Sequence, residues 1–248
     1  MKPPSNELEI PESREPSNPH DSFGLLHNET LDYILTGFMK LPIRADGPEA
    51  IPLHVTKMTA DFLYLKSGKN DIIQLEEIVN ACYVSLGRLL SNRDASPLIH
   101  SKASIEFFGF YSKLRLILPY TYITNIADKL TDIRDLEKSI DSSGMSTDEK
   151  RIAYWVCSTA RFSMAYWLNE FDQEKSLWIS TAALIGGWED LPVKLSSGPP
   201  QWVYDDIEAA LVGAFFTANP FVALGGGVAT SAVAELNAMG HPVVGGDK

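Results

Sequence analysis

Apolar residues recur at helical spacing along most of the chain from Ser22 onward. The clearest stretch is residues 72–89, where apolar side chains follow one another at steps of three and four and therefore share one side of a helix. These side chains are Ile72, Leu75, Val79, Cys82, Leu86 and Leu89. Comparable spacing predicts further helices over residues 22–38, 49–66 and 119–140.

Residues 105–118 fit two kinds of structure. Phe107 and the aromatic residues that follow it could line one face of a helix. Leu114, Leu116 and Leu118, in contrast, alternate with other residues as a short strand would. We predict a helix, because nothing nearby in the sequence offers a strand with which this one could pair.

One further helix has a recognisable start. Ser146 is followed three residues later by Glu149, which is the spacing of a capping box. Trp155, Phe162 and Tyr166 then fall at steps of seven and four, so one face of this helix carries an aromatic stripe. We interpret the aromatic stripe as part of the core rather than as a platform for a ligand.

Arg161 lies in the same predicted helix, directly before Phe162 of the aromatic stripe. A guanidinium group that is buried without an opposite charge is strongly destabilising. The sequence therefore predicts that Arg161, if it is buried, has a carboxylate as its partner.

The C-terminal part of the chain contains a long segment without charge. No residue between Glu208 and Glu235 is charged, and residues 209–234 are mainly Ala, Gly, Val, Phe and Leu. Three structures remain open for this segment: a buried helical hairpin, a membrane-inserting segment, and a flexible tail that orders on a partner. We favour the hairpin, because the many small residues make insertion into a bilayer marginal.

The hairpin is expected to consist of two short helices that pack on the aromatic stripe. Pro220 has no backbone N–H and disfavours helix at the preceding residue, so Asn219 is the predicted corner. Glycines 225–227 are expected to form a second weak point, since each costs about 1 kcal/mol relative to alanine in a helix.

Together these patterns predict a mainly α protein, a multi-helix bundle with a Gly/Ala-rich C-terminal helical hairpin. Residues 1–21 are acidic and rich in Pro and Ser, which predicts a disordered tail. We expect about five to seven helices in a domain over residues 22–187. Residues 188–201 are predicted to be a linker, and 202–248 to be the apolar C-terminal segment.

Charge narrows the range of partners. The chain has 248 residues, a net charge of −11 and basic residues that form no stripe, so we expect no nucleic-acid binding. The N-terminus lacks the apolar core of a secretory signal, which predicts a cytoplasmic protein, with membrane association and non-classical export left open.

Cys82 and Cys157 lie in apolar helical stretches and are expected to be free, buried thiols.

The first polar constellation lies at the start of the first predicted helix and comprises His27, Asn28, Glu29 and Asp32. A zinc-binding helix needs two histidines four residues apart around a glutamate, and only one histidine is present. We therefore interpret His27 as a histidine at the helix start or the edge of the core. The other histidines are isolated in sequence: His20, His54, His100 and His241.

Two more constellations also lack part of their motif. Asp205, Asp206 and Glu208 resemble an aspartate-rich magnesium site, but capping of the following helix is the favoured role. Glycines 225–227 could hold phosphate, but Val-Ala follows them where a phosphate-binding loop needs Lys and Ser or Thr. The sequence therefore predicts no catalytic, metal-binding or cofactor-binding residue.

Three stretches resemble parts of known sequences. They are the opening Leu26–Ile34 (LHNETLDYI), the helix from Asp148 to Trp167, and the Gly/Ala-rich segment 209–234. In this order they resemble a group of uncharacterised bacterial proteins with a similar opening and a Gly/Ala-rich C-terminal segment. The resemblance implies a bacterial protein, and it implies no activity and no site residues.

For function, we expect a non-enzymatic helical interaction or regulatory protein with a protein partner, because each polar constellation is incomplete. The alternative is a membrane-associated or membrane-active protein that acts through residues 209–234. The weaker alternative is an enzyme whose catalytic groups come from distant parts of the sequence. These patterns leave the activity, the partner and the oligomeric state open.

Overall fold

A computed structural model shows the protein to be mainly helical. The structure describes residues 13–40, 50–68, 72–90, 96–118, 126–172, 177–178, 181, 207–211, 213–215 and 219–240. Within these residues there are eight helices and no strand. The helices are α1 (Ser22–Phe38), α2 (Ile51–Ser67), α3 (Ile72–Leu90), α4 (Ser96–Lys102), α5 (Ile105–Ile117), α6 (Ile126–Lys138), α7 (Thr147–Asp172) and α8 (Pro220–Gly240).

The ambiguous stretch 105–118 is helical, as predicted, and forms α5. Phe107, Phe110 and Leu114 lie on its buried face. Leu116, which would share a strand face with Leu114, is instead exposed on the outer side of the helix. The period of 3.6 residues, rather than 2, therefore accounts for the burial along this stretch.

α1 packs against α7, and hydrogen bonds that advance together along both helices show that the two run in the same direction. The N–H of Gly24 donates to Oγ of Ser158 near the start of the contact (2.9 Å), and Tyr166 donates to Asp32 further along both helices (3.0 Å). The aromatic stripe of α7 is buried, which agrees with its interpretation as core, and Trp155 stacks on a phenylalanine of α1 with ring centroids 5.4 Å apart.

α7 begins at the predicted capping box. Ser146 Oγ accepts a hydrogen bond from the N–H of Glu149 (3.3 Å), and the Glu149 carboxylate accepts one from the N–H of Ser146 (2.8 Å). The carboxylate also accepts a bond from the N–H of Ser104, the N-cap residue of α5 (2.7 Å). Burial acts to raise the pKa of Glu149, but the hydrogen bonds from Ser104 and Ser146 outweigh it, and the pKa lies below its ordinary value.

We expect Glu149→Ala to lower the free energy of unfolding by about 1–2 kcal/mol at neutral pH, because the starts of two helices lose an acceptor. Since the folded-state pKa is depressed, this contribution is present above the ordinary carboxyl pKa and is lost as the pH falls through the folded-state value. Urea unfolding at neutral and acidic pH measures it. Glu106→Ala, an exposed acid in the first turn of α5, is the matched control; equal losses in both variants would contradict the prediction.

α8 departs from the predicted hairpin in two respects, its continuity through the glycines and the helices on which it packs. It starts at Pro220, with Oδ1 of Asn219 accepting a hydrogen bond from the N–H of Phe221 (3.0 Å), so a helix begins at the predicted corner. The helix then continues through glycines 225–227. The expected second weak point at these glycines is therefore wrong.

The reason is close packing of α8 on α2 and α3. A Cβ atom at Gly225 would lie 3.0 Å from Cγ2 of Ile78, and one at Gly226 would lie 2.5 Å from Oγ of Ser85. This close contact offsets the low helix propensity of glycine. α8 packs mainly against α3 and α2. The predicted packing on the aromatic stripe is therefore wrong. Neither α8 nor any other helix in the described stretches is long and apolar enough to cross a bilayer.

The predicted disordered tail does not extend to residue 21. Residues 13–21 lie against α6 and α7, and Asn18 within them is almost completely buried. Charged partners on the two helices, rather than apolar burial, account for this docking. Residues 1–12, the predicted linker 188–201 and the first part of the predicted helix over 119–125 lie outside the described residues.

Candidate functional site

A non-helical stretch before α1 is held by charged side chains of α6 and α7. We name this stretch, residues 13–21, the strap, and we name Arg134, Glu137 and Arg161 the seat. The strap contains no apolar residue other than two prolines, and both prolines are exposed. Asn18 is its deeply buried side chain. The strap is therefore held by polar contacts rather than by an apolar anchor.

Arg161 is the centre of the seat and is fully buried. Its guanidinium donates to both carboxylate oxygens of Glu137, with Nε–Oε2 and Nη2–Oε1 distances of 2.9 and 3.0 Å. Towards the strap, Nη2 donates to Oδ1 of Asp21 at 2.6 Å, and Nη1 donates to the carbonyl oxygen of Ser13. The predicted carboxylate partner of Arg161 is confirmed, and a second carboxylate shares the same guanidinium.

Asn18 connects the strap to both helices of the seat. Its Nδ2 donates to Oε1 of Glu137 (2.6 Å) and to the carbonyl oxygen of Tyr154 in α7 (3.0 Å). Its Oδ1 accepts a hydrogen bond from the N–H of His20 (2.7 Å), whose ring meets the edge of Trp155 with centroids 5.9 Å apart. The carboxamide therefore uses its donor and acceptor sides at once.

Arg134 holds the outer part of the strap. Its Nε lies 3.7 Å from Oε2 of Glu15, and its Nη2 donates to the carbonyl oxygen of Arg14 (3.4 Å). The N–H of Glu15 donates to Oδ1 of Asp21 (3.2 Å), which closes the strap on itself. The seat thus binds backbone carbonyls, carboxylates and a carboxamide of one extended stretch of chain.

Ser158 of α7 joins the strap to the beginning of α1. Asp21 is the N-cap residue of α1, but its side chain makes no capping bond because Arg161 engages the carboxylate. Ser158 Oγ instead accepts from the N–H of Gly24 (2.9 Å) and donates to the carbonyl oxygen of Asp21 (2.8 Å). One hydroxyl group from a neighbouring helix therefore supplies the cap that the local sequence lacks.

Burial controls the ionisation of groups around the seat. Burial raises the pKa of Glu137, and the hydrogen bonds from Arg161 and Asn18 oppose this shift without cancelling it. Ionisation of Glu137 therefore costs stability, and this cost grows as the pH rises from the ordinary carboxyl pKa through the raised folded-state value. Burial also raises the pKa of Cys157 and raises that of Tyr154 to about 12, so both are neutral at neutral pH.

The first polar constellation of the sequence does not converge on one point. His27 is buried, with Nδ1 3.0 Å from Oδ1 of Asn28, and is a core histidine. Asp32 accepts a hydrogen bond from Tyr166, whose oxygen accepts one from Nε1 of Trp178 (2.9 Å). Burial raises the pKa of Asp32. These contacts fix α1 on α7 and form no open cleft of converging polar groups.

The other constellations also take structural roles where they are described. Glu208 accepts a hydrogen bond from the hydroxyl of Tyr111 (2.7 Å), whereas Asp205 and Asp206 lie outside the described residues. Cys82 and Cys157 are free and buried, as expected. In the part of the chain that the structure describes, no three His, Cys, Asp or Glu side chains are placed to hold a metal ion.

Sequence reasoning identified Arg161 but missed the rest of the seat. Glu137 carried a usable signal, since it lies on the apolar face of α6 four residues after Ile133 and three residues before the buried Ile140 that follows the helix. A carboxylate at a core position needs a buried cation. Asn18 carried no comparable signal, because it lies in a stretch of prolines and serines.

Comparison with known proteins identifies no relative of the chain. No family model, no curated protein and no solved structure matches the chain. An assignment of function must therefore be built on the geometry of the strap and the seat.

Proposed function

We propose that this is a non-enzymatic helical interaction or regulatory protein, built as a multi-helix bundle with a C-terminal helical hairpin, and that its partner is a protein. The observation that carries the proposal is the seat. Its charged side chains bind an extended stretch of polypeptide through backbone carbonyls and side chains together. Domains that recognise extended peptides of other proteins use the same combination of contacts.

Two features of the described residues support this proposal over an enzyme. The densest cluster of polar side chains binds the chain itself, since Arg161 donates to Glu137, to Asp21 and to a carbonyl oxygen of the strap. The polar residues around Tyr166 join helices instead of lining a cleft. Catalysis needs polar groups that converge on space a substrate can enter.

The membrane-associated alternative receives less support. It relies on residues 209–234, and the apolar side chains described there are largely buried. Val222, Val228 and Val233 illustrate this, since each lies within the core. An apolar face that is packed on α2 and α3 is not available to lipid while the fold is intact.

Capture of binding proteins tests the proposal. The tagged full-length chain is expected to retain a protein from a bacterial extract, at roughly one molecule of that protein per molecule of chain. The double variant Arg161→Met with Glu137→Met is expected not to retain it. That double variant replaces the buried charges by apolar groups of similar size, which keeps the helices folded. Leu65→Ser, an exposed change on α2, is the matched control and is expected to retain the protein.

Circular dichroism and the urea midpoint verify that each variant is folded. Failure of both the wild-type chain and Asn18→Ala, which lacks the bonds from Asn18 to Glu137 and Tyr154, to retain any protein beyond the untagged control would overturn the proposed function. So would equal retention by the double variant.

A further inference from the structure

We propose that the strap is a displaceable internal ligand of the seat, and that an extended acidic peptide of a partner protein binds the seat when the strap lifts. This inference rests on the proposed function, because it names the regulation and the partner chemistry of the same site. In the closed state the chain occupies its own binding site.

The strap is suited to local opening. Segments that bury little apolar surface open at lower free energy than the helices on which they lie. The strap buries no apolar side chain, and its outer residues Arg14, Pro16, Ser17 and Pro19 are exposed. The helices below it are held separately by the contact of α1 with α7 and of α6 with α7. Lifting the strap therefore bends the chain where α1 begins and leaves the helical core in place.

Charge decides what the open seat would bind. When the strap is closed, the guanidinium groups of Arg134 and Arg161 face three carboxylates, those of Glu15, Asp21 and Glu137. When the strap lifts, Glu15 and Asp21 leave with it, and two guanidinium groups face one carboxylate. The open seat is then a positive site on a chain whose net charge is −11, and it attracts carboxylates.

The groups that the strap presents to the seat indicate which ligand fits the seat. It presents a carboxamide from Asn18 between two carboxylates, from Glu15 and Asp21, and it offers backbone carbonyls to both arginines. A partner peptide with two carboxylates around a carboxamide would reproduce these contacts. Because the strap is tethered at a high effective concentration, such a peptide competes only when the tethered strap is weakened or when the peptide binds more tightly.

Trypsin reports strap opening in the full-length protein. The bond after Arg14 is protected in the closed state, since its carbonyl accepts from Arg134 and the next N–H donates to Asp21. Asn18→Ala removes both bonds from the strap to Glu137 and Tyr154, so we expect cleavage after Arg14 to accelerate roughly tenfold or more.

Ser17→Ala is the matched control, because Ser17 is an exposed strap residue whose hydroxyl donates to Glu15 within the strap. Its cleavage rate is expected to equal that of the wild type. Glu15→Gln, which weakens the ion pair with Arg134 and the hydrogen bonds from Ser17 but leaves the bonds of Asn18 and Asp21 to the seat, is expected to accelerate cleavage by a smaller factor. Unchanged circular dichroism shows that the helices remain folded in each variant.

A fluorescent peptide with the sequence of residues 13–21, blocked at both ends, then probes the open seat. We expect its dissociation constant to be lower for Asn18→Ala than for wild type or Ser17→Ala by roughly tenfold or more. A control peptide with Glu15→Gln and Asp21→Asn is expected to bind none of the three proteins.

Two results would overturn the inference. One is cleavage of Asn18→Ala no faster than that of Ser17→Ala. The other is faster cleavage without any binding of the acidic peptide in preference to its neutral control. Failure of the proposed function looks different: the peptide would bind the opened seat of Asn18→Ala while neither the wild-type chain nor Asn18→Ala retained a protein in the capture experiment.

Discussion

Arg161→Ala is expected to lower the free energy of unfolding by about 3 kcal/mol, the lower end of the range for removing one partner of a buried ion pair. The variant leaves Glu137 buried without its cation, and it also frees Asp21 at the start of α1. The loss stays near the lower end because the strap can lift and let water reach Glu137. Urea unfolding at neutral pH, followed by circular dichroism, measures it.

Two control variants separate the buried charge from general effects of mutation. Arg134→Ala removes a partly exposed arginine of the same seat and is expected to cost less than about 1 kcal/mol. Arg161→Met combined with Glu137→Met is expected to recover most of the stability, since an apolar pair of similar volume removes the unpaired charge. An Arg161→Ala variant no less stable than Arg134→Ala would contradict this account.

Local features of the fold could be predicted from the sequence. Ser146 and Glu149 are three residues apart, so the capping box depends on one helical turn and is visible in a short window. The burial of Leu31, Ile34 and Phe38 follows from helical periodicity for the same reason. These elements need no information about which helix lies next to which.

Features that depend on neighbouring helices could be predicted only in part. The demand of Arg161 for a carboxylate follows from the cost of burying its charge, but the identity of its partners does not. Glu137 is 24 residues away and Asp21 is 140 residues away, so only the tertiary fold brings them together. The composition of the strap predicts disorder because it lacks apolar residues, and this criterion misses docking through charges.

The continuity of α8 also depends on neighbouring helices, and the sequence of α8 alone predicts the wrong outcome. Helix propensity predicts a break at glycines 225–227, because glycine loses more backbone conformational freedom on entering a helix than any other residue. A Cβ atom at Gly226 would lie 2.5 Å from Oγ of Ser85 and one at Gly225 would lie 3.0 Å from Ile78, so the absence of Cβ permits the close contact of α8 with α3. Packing therefore favours glycine at these two positions, whereas the propensity of the isolated helix disfavours it.

The second large effect is expected at the crossing of α1 and α7. A Cβ atom at Gly24 would lie 2.5 Å from Cδ2 of Phe162 and 2.5 Å from the carbonyl oxygen of Ser158. We expect Gly24→Ala to lower the free energy of unfolding by about 2 kcal/mol, because α1 must move away from α7. That movement also weakens the bond between the Gly24 N–H and Ser158 Oγ, which caps α1.

Alanine at two open glycines is the matched control. A Cβ atom added at Gly87 in α3 or at Gly109 in α5 would meet no described atom beyond its own helix within 4 Å. Gly→Ala at these positions is therefore expected to raise the stability by about 0.5–1 kcal/mol. The opposite signs separate steric conflict from helix propensity. Stability of Gly24→Ala equal to that of the wild type would show that α1 and α7 are further apart than the structure places them.

The source of the conflict at Gly24 can be tested in a Phe162→Leu background. If the aromatic ring alone caused the conflict, Gly24→Ala would cost little once the ring is removed. We expect most of the cost to remain, because the carbonyl oxygen of Ser158 belongs to the backbone of α7 and no side-chain change moves it. A double-mutant cycle measured by urea unfolding gives the coupling between the two positions. Complete recovery in the double variant would assign the conflict to the ring and would show that the backbones can separate at little cost.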